Sequence, residues 1–217
     1  MITDLLDTYG QDGDHWADFG CSNGFVISEM LRDAKPTFDH IVGYDRKTAL
    51  LDGARARVLP RVSFESRNMD EAVPRDAQTF DIVTCFETLE HVARYRDAFA
   101  HLYAAGKPGG YLIVTVPNET GLSGLAKLIV QKAIGRDYSE FFKGKSRASY
   151  VRDLLTYAYI DGYRVPNPNG YGPHLGFDYR RLEQHVDEQY TAKGKLELVD
   201  VNTSFMKFNV ALIYRYL

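Results

Sequence analysis

The stretch "DIVTCFETLEHV" (residues 81–92) sets Glu87, Glu90 and His91 directly behind a short apolar run. Two carboxylates and an imidazole at the end of a buried strand cost free energy unless they are put to use. Spacings of three and four place all three on one face if the chain turns helical after the strand. Such a set suits two kinds of chemistry. A hard cation takes carboxylate oxygens with an imidazole and keeps positions open for substrate oxygens. A histidine titrating near neutral pH serves as a general base. The plainer alternative is a solvated helix start at Glu90 and His91, with Glu87 touching a bound ligand.

A second constellation lies upstream. In "DFGCSNG" (18–24), Gly20 permits a tight turn, and Gly24 lets the backbone approach a ligand at the start of the next helix. The glycines are spaced G-x-x-x-G, with Ser22 between them and Phe25 where the third glycine of a dinucleotide fingerprint would fall. A pyrophosphate site is therefore disfavoured. Asp45 closes the next strand, 21 residues after Gly24, where an acid accepts hydrogen bonds from both hydroxyls of a ribose. Asn68, just past a third strand, is placed to meet the edge of a base. The bland reading makes the glycines a simple turn and Asp45 a helix cap.

These groups need a scaffold that gathers strand ends. Apolar runs at 15–19, 40–45, 62–66, 80–86 and 111–117 predict strands, and helical patterns fall at 25–34, 46–59 and 95–106. That alternation predicts an α/β fold, a doubly wound and mostly parallel sheet covered by helices. From Asn118 to Gly172 no strand pattern is seen, but helices are expected at 124–135 and 149–160. A helix at 177–190 and strands at 195–204 and 208–217 follow. Residues 1–217 are expected to form one domain, with 118–172 a mostly helical insertion that acts as a lid over the site. A composition of 45% hydrophobic and 25% charged residues suits a soluble globular chain, and a net charge of −3 gives no global attraction to a polyanion. No apolar run approaches a membrane span, and the acidic N-terminus lacks a signal pattern. Cys21 and Cys85 are too few for a disulfide framework, so the expected compartment is the reducing cytoplasm.

Taken together, "DFGCSNG", "GYD", "FDIVTCFETLEHV" and "KPGGYLIVTVPN" resemble successive motifs of the class I S-adenosylmethionine-dependent methyltransferases, over about residues 14–118 and more weakly 174–217. Each motif alone is loose; four in register are specific. The resemblance implies a seven-stranded Rossmann-like sheet whose last strand is antiparallel. It also implies that S-adenosylmethionine lies across the first, second and fourth strand ends. Carried over by position, Asp18 with Gly20, Cys21, Ser22 and Gly24 would hold the methionine part. Asp45 and Arg46 would meet the ribose, and Asn68 and Met69 the adenine, with Phe86 also at the cofactor site. Ser22 departs from the family pattern, where many members have glycine.

His174, in "GPHLGFDYRRL", adds a distant histidine to the E-x-x-E-H set. That combination resembles two branches, the ubiquinone-pathway O-methyltransferases and the small-RNA 3′-terminal 2′-O-methyltransferases. The resemblance implies that Glu87, Glu90, His91 and His174 bind one divalent metal, Mg2+ or Mn2+, that activates a substrate hydroxyl for methylation. Glu90, His91 and His174 are then the catalytic candidates; without a metal, His91 or His174 acts as the base.

The acceptor is less legible. Lys127, Lys132, Arg136, Lys143, Lys145, Arg147 and Arg152 outnumber the acids between 121 and 153, which suggests an anionic substrate. Phe141, Phe142, Tyr150, Tyr157, Tyr159, Tyr163 and Tyr171 suit a planar or sugar ring. A solvated helix face and a small core of the insertion's own would explain the same residues. A small molecule is favoured over nucleic acid.

Overall fold

The computed structural model describes residues 2–71, 78–135, 146–164, 175–203 and 208–217. Strands β1 (His15–Phe19), β2 (His40–Asp45), β3 (Val62–Ser66), β4 (Phe80–Phe86) and β5 (Gly106–Pro117) run parallel. With β6 (Leu196–Thr203) and β7 (Asn209–Tyr216) they form, among the described residues, a seven-stranded sheet ordered β3-β2-β1-β4-β5-β7-β6. β7 is antiparallel to both of its neighbours. This is the doubly wound, mostly parallel sheet expected from the alternation of apolar runs, with the seven strands and antiparallel last strand of the Rossmann-like sheet that the resemblance implies. The runs at 15–19, 40–45, 62–66 and 80–86 are strands with those bounds.

Burial on both faces explains why the inner runs are so apolar, whereas β3, at the sheet edge, buries only Phe64. Helices α1 (Ile2–Tyr9), α2 (Phe25–Asp33) and α3 (Thr48–Arg55) cover one face. Along the chain then come α4 (Tyr95–Ala105), α5 (Gly121–Ala133), α6 (Arg147–Leu155) and α7 (Tyr179–Val186), and of these α4 and α7 cover the other face. Successive strand residues serve alternate sides. In β4, Ile82 and Phe86 pack with Ile27 and Leu51, while Val83 and Cys85 pack with Phe99 and Leu182.

Several elements differ from the expectation: α6 stops at Leu155 instead of Ile160, and α7 stops at Val186, with a π-helical turn over Asp187–Thr191 after it. α1, where the sequence pattern predicts no element, is a helix with Leu5 and Leu6 buried. α3 stops at Arg55 instead of Leu59, because Val58 takes a left-handed φ of 51° and Pro60 disfavours helix at the residue before it. "KPGG" lies inside β5: pairing jumps from Phe80↔Gly106 to Ile82↔Tyr111, and the extra residues bulge at Gly109, where φ is 86°.

The segment after β5 has a small core of its own. Tyr150, Leu154, Ile160 and Leu175 cluster there, with Leu125, Leu128 and Tyr163 packed against them. Tyr150 and Tyr163 therefore serve that core, while Tyr157 and Tyr159 are exposed and Phe141, Phe142 and Tyr171 lie outside the described residues. Its described residues are tied down at two places. The Asn118 amide donates to the Phe208 carbonyl at 2.7 Å, and Lys127 Nζ reaches the same carbonyl at 2.9 Å. Further along, Arg180 donates to the carbonyls of Tyr157 and Ala158 at 2.8 and 2.9 Å.

Candidate active site

The carboxyl ends of β1 to β4 meet around a cavity of about 260 Å3. The turn after β1 is built by backbone. The amides of Gly20 and Cys21 both donate to the Tyr44 carbonyl, at 2.7 and 3.0 Å. Gly20 has φ 85°, and a Cβ there would run into the Thr88 side chain. Ser22 holds a left-handed φ of 52°, the conformation for which glycine is the usual residue, so its departure from the family pattern leaves the turn intact. Its amide donates to Asp45 Oδ2 at 3.0 Å, and the Lys47 amide donates to Asp45 Oδ1 at 2.9 Å. Asp45 thus braces the loop with one lone pair on each oxygen and keeps others for hydroxyl donors.

Not every residue expected at the cofactor lines the cavity. Gly20, Ser22, Asp45, Arg46, Asn68 and Met69 do; Asp18, Cys21, Gly24 and Phe86 do not. Gly24 instead starts α2 at φ 70° and sits against the Phe64 ring. Cys21 and Phe86 are buried in the apolar layer beneath, and burial pushes the Cys21 thiol far up. Asp18 is 2% exposed, receives a 2.6 Å hydrogen bond from Thr84 and is pushed up to about 7 by burial. Other lining residues were missed because no motif marks them. Phe19 and Tyr44 are strand-terminal aromatics, and Arg67 lies 4.2 Å from the Tyr44 ring centroid. Their only signal was position at a strand end.

Beyond β4 the chain does not turn helical at once. Glu87 adopts φ 46°, and its amide donates to the Thr115 carbonyl at 3.0 Å. A single 3-10 turn, Leu89–His91, follows. Glu87 therefore precedes the helix, and the expected shared face of Glu87, Glu90 and His91 is not formed. Glu87 and His91 line the cavity; Glu90 does not and is 4% exposed. Its Oε1 lies 3.9 Å from His91 Nε2. Burial raises the Glu90 carboxyl well above the usual range, Glu87 raises it further, and Arg164 opposes the shift. Burial raises Glu87 as well, against a hydrogen bond with Thr115 and the charge of Lys127.

A third acid stands nearby. Glu119, just past β5, is buried, raised by that burial, and paired with Lys127 at 3.2 Å. Lys127 and Arg164 thus bring cationic charge from the inserted segment to the acids at the ends of β4 and β5. Arg152 is spent on Asp153 at 2.9 Å, and Arg136, Lys143 and Lys145 lie outside the described residues.

The donor types suit a hard cation, but the described ones, Glu87, Glu90 and His91, do not by themselves assemble one site. Among the described residues no group of three or more His, Cys, Asp or Glu side chains is arranged to hold a metal ion. Glu90 turns into the protein and His91 toward the cavity, while His174 lies outside the described residues.

A family model described as a methyltransferase domain matches residues 2–161. A ubiquinone biosynthesis O-methyltransferase from Hahella chejuensis is 30% identical over 145 residues, covering 62% of this chain and 59% of that protein. One from Coxiella burnetii is 28% identical over 188 residues, covering 83% and 76%. The chain thus spans about three-fifths of the first of these relatives. A solved S-adenosylmethionine-dependent methyltransferase from Aquifex aeolicus has a TM-score of 0.60 at 12% identity, covering 99% of this chain and 88% of that one. Magnesium protoporphyrin IX methyltransferase from Synechocystis PCC 6803, solved with bound SAH, has a TM-score of 0.60 at 15% identity, covering 100% and 80%. At such identities the two structures speak for the fold.

Proposed function

Because the chain belongs to the class I S-adenosylmethionine-dependent methyltransferases, we propose that it carries the methyl group of that cofactor to a hydroxyl oxygen of a small molecule. One observation carries the reading. A single cavity is lined both by the glycine turn with Asp45 and by Glu87, Thr88 and His91. Asp45 would accept from the ribose hydroxyls, Asn68 and Met69 would meet the adenine, and the turn, with the buried Asp18 at its base, would hold the methionine end. Glu87, Thr88 and His91, which line the same cavity, would meet the methyl acceptor. His91 would take the proton of the acceptor hydroxyl; the bound cofactor would supply the methyl group, its C–S bond breaking as the C–O bond forms and leaving a neutral thioether. Oxygen as the acceptor is supported by the name O-methyltransferase that the relatives bear.

Residues 118–172 serve in this reading as the lid, since Lys127 and Arg164 bring their charges to the acids at the strand ends. A second reading adds Mg2+ or Mn2+, held by Glu87, Glu90, His91 and His174. It is supported by Glu87 Oε1, which is buried with no hydrogen-bond partner among the described residues. The small molecule is favoured over an RNA end by the net charge of −3. Cytoplasmic residence is supported by two free buried cysteines, Cys21 and Cys85. No helix among the described residues is long and apolar enough to cross a membrane.

The test is a screen of hydroxylated aromatic and sugar acceptors with methyl-labelled cofactor, after calorimetry with S-adenosylhomocysteine. Binding of the product and label on oxygen are expected. No binding of cofactor or product would overturn the reading, and label on nitrogen or carbon alone would overturn the acceptor. Repeating the assay in excess chelator decides the metal: sustained turnover leaves a histidine base, His91 or His174, as the activator, whereas loss restored by Mn2+ or Mg2+ supports the second reading.

A further inference from the structure

We propose that a second cavity, beside the first, binds a small anion carrying phosphate groups. The inference goes beyond methyl transfer and does not rest on it. The cavity measures about 550 Å3, a size that suits a small molecule, and shares Arg46, Lys47, Arg67 and Asn68 with the first. Ser66, Glu71 and His101 belong to its lining alone, whereas Glu87, Thr88 and His91 line only the first. Its occupant is therefore a different molecule from the methyl acceptor. Every described residue of the lining is polar or charged, and three cations face one carboxylate.

Two strand ends gather the charge. Asp45 and Ser66 are register partners across β2 and β3, so Arg46 and Lys47 leave the sheet beside Arg67. Lys47 is also the N-cap of α3, whose dipole adds positive potential at that corner. Arg67 lies over the Tyr44 ring, 4.2 Å from its centroid. Stacking uses the face of a guanidinium, while a forked grip on phosphate uses its edge. Arg46 Nη1 is 3.9 Å from Asp70 Oδ2, longer than a direct charge-assisted hydrogen bond. Glu71, the opposing charge among the described lining residues, accepts from Asn68 at 3.1 Å.

This lining selects phosphate over other anions. An organic carboxylate carries its charge on a carbon frame, and the frame needs an apolar wall that the described lining lacks. A diphosphate or larger anion presents charged oxygens on every side and calls for cations, hydroxyls and N–H groups. Arg46, Lys47 and Arg67 supply the charge, and the Ser66 hydroxyl is a further donor. His101 is 2% exposed and stands 3.2 Å from the Glu71 carbonyl through Nε2. A carbonyl can only accept, so Nε2 donates, and the imidazole braces the residue whose carboxylate opposes the ligand. Removing that carboxylate should raise affinity, a gain that no folding defect imitates.

Calorimetry at about 0.15 M salt, with S-adenosylhomocysteine saturating, would titrate inorganic phosphate, pyrophosphate and ADP. Filling the first cavity leaves the second for the anion. Pyrophosphate should bind with a dissociation constant below about 1 mM, and more tightly than phosphate. ADP binding tighter than pyrophosphate would identify a nucleotide as the source, and weaker binding the free anion. Arg67→Ala should weaken pyrophosphate about tenfold through lost charge-assisted bonds. Glu71→Gln keeps the oxygen that accepts from Asn68 and removes the opposing charge, so pyrophosphate should bind about fivefold more tightly. S-adenosylhomocysteine affinity in Glu71→Gln should be unchanged. Lys35→Ala, at an exposed lysine outside both cavities, should change neither affinity. No binding of pyrophosphate by wild type, no gain in Glu71→Gln, or equal losses in Lys35→Ala and Arg67→Ala would overturn the proposal. Wild type that takes pyrophosphate but not S-adenosylhomocysteine would instead bring down the cofactor reading and leave this one standing.

Discussion

At the scale of single residues, the turn after β1 separates positions that need glycine from one that merely resembles them. Gly20→Ala puts a Cβ into the Thr88 side chain at a left-handed φ of 85°. A loss of about 1–3 kcal/mol is expected, because strained backbone and collision act together. Thermal denaturation and calorimetry with S-adenosylhomocysteine should both record it. Ser22→Gly relieves a left-handed φ of 52° without adding an atom, and the gain is offset by a more flexible unfolded chain. Its stability should stay within about 1 kcal/mol of wild type. His91 lines the cavity without bracing the turn, so His91→Ala should lower turnover by about 10²–10⁴-fold while cofactor affinity holds within a few-fold. Equal losses in both would make His91 a binding residue.

At the scale of elements, the parallel strands were legible because burial on both faces leaves a continuous apolar run, as in "FDIVTCF", that needs no context to read. The glycine turn and Asp45 were legible for a related reason: backbone geometry dictates residue type at a strand end. The stretch after β4 was not. Spacing alone put Glu87, Glu90 and His91 on one helical face, but the Glu87 amide is drawn back to Thr115 and the helix shrinks to one 3-10 turn. Glu119 was hidden because its role depends on the neighbouring strand and on Lys127, neither of which lies near the other acids in sequence. The inserted segment offers a test of its own coupling. Arg164 donates to the Val92 carbonyl at 2.6 Å, and a Cβ on Gly176 would press on the backbone of Tyr163 and Arg164. Gly176→Ala should therefore loosen this junction, read as faster amide exchange over residues 147–163. If the segment is the lid, product and acceptor together should slow exchange there in wild type. Protection already complete in the empty protein would mark it as fixed structure.

At the scale of the whole molecule, stability should depend on pH in an unusual direction. Asp18 is fully buried, and its carboxyl titrates at about 7 in the fold against 3.8 as its ordinary value. The folded state therefore holds a proton that the unfolded chain has already lost between about pH 4 and 7, and stability falls as pH rises across that window. Three pKa units correspond to about 4 kcal/mol. Glu87, Glu90 and Glu119 shift the same way, whereas Asp81, lowered by its hydrogen bonds to His15 and Lys107, loses its contribution below about pH 4. Denaturant titrations of the ligand-free protein should thus find a maximum in the mildly acidic range, and Asp18→Asn should flatten the decline toward neutrality. The order of the strands has a consequence for synthesis. β7 slots between β5 and β6, so the open edge of β5, with Val114 and Val116, meets its partner only after the inserted segment, α7 and β6 have left the ribosome. Until then the nascent chain carries an unsatisfied, aggregation-prone edge beside an assembled parallel sheet. Chains stalled before Asn209 should be retained by chaperones or degraded, and release should follow the emergence of a single late hairpin.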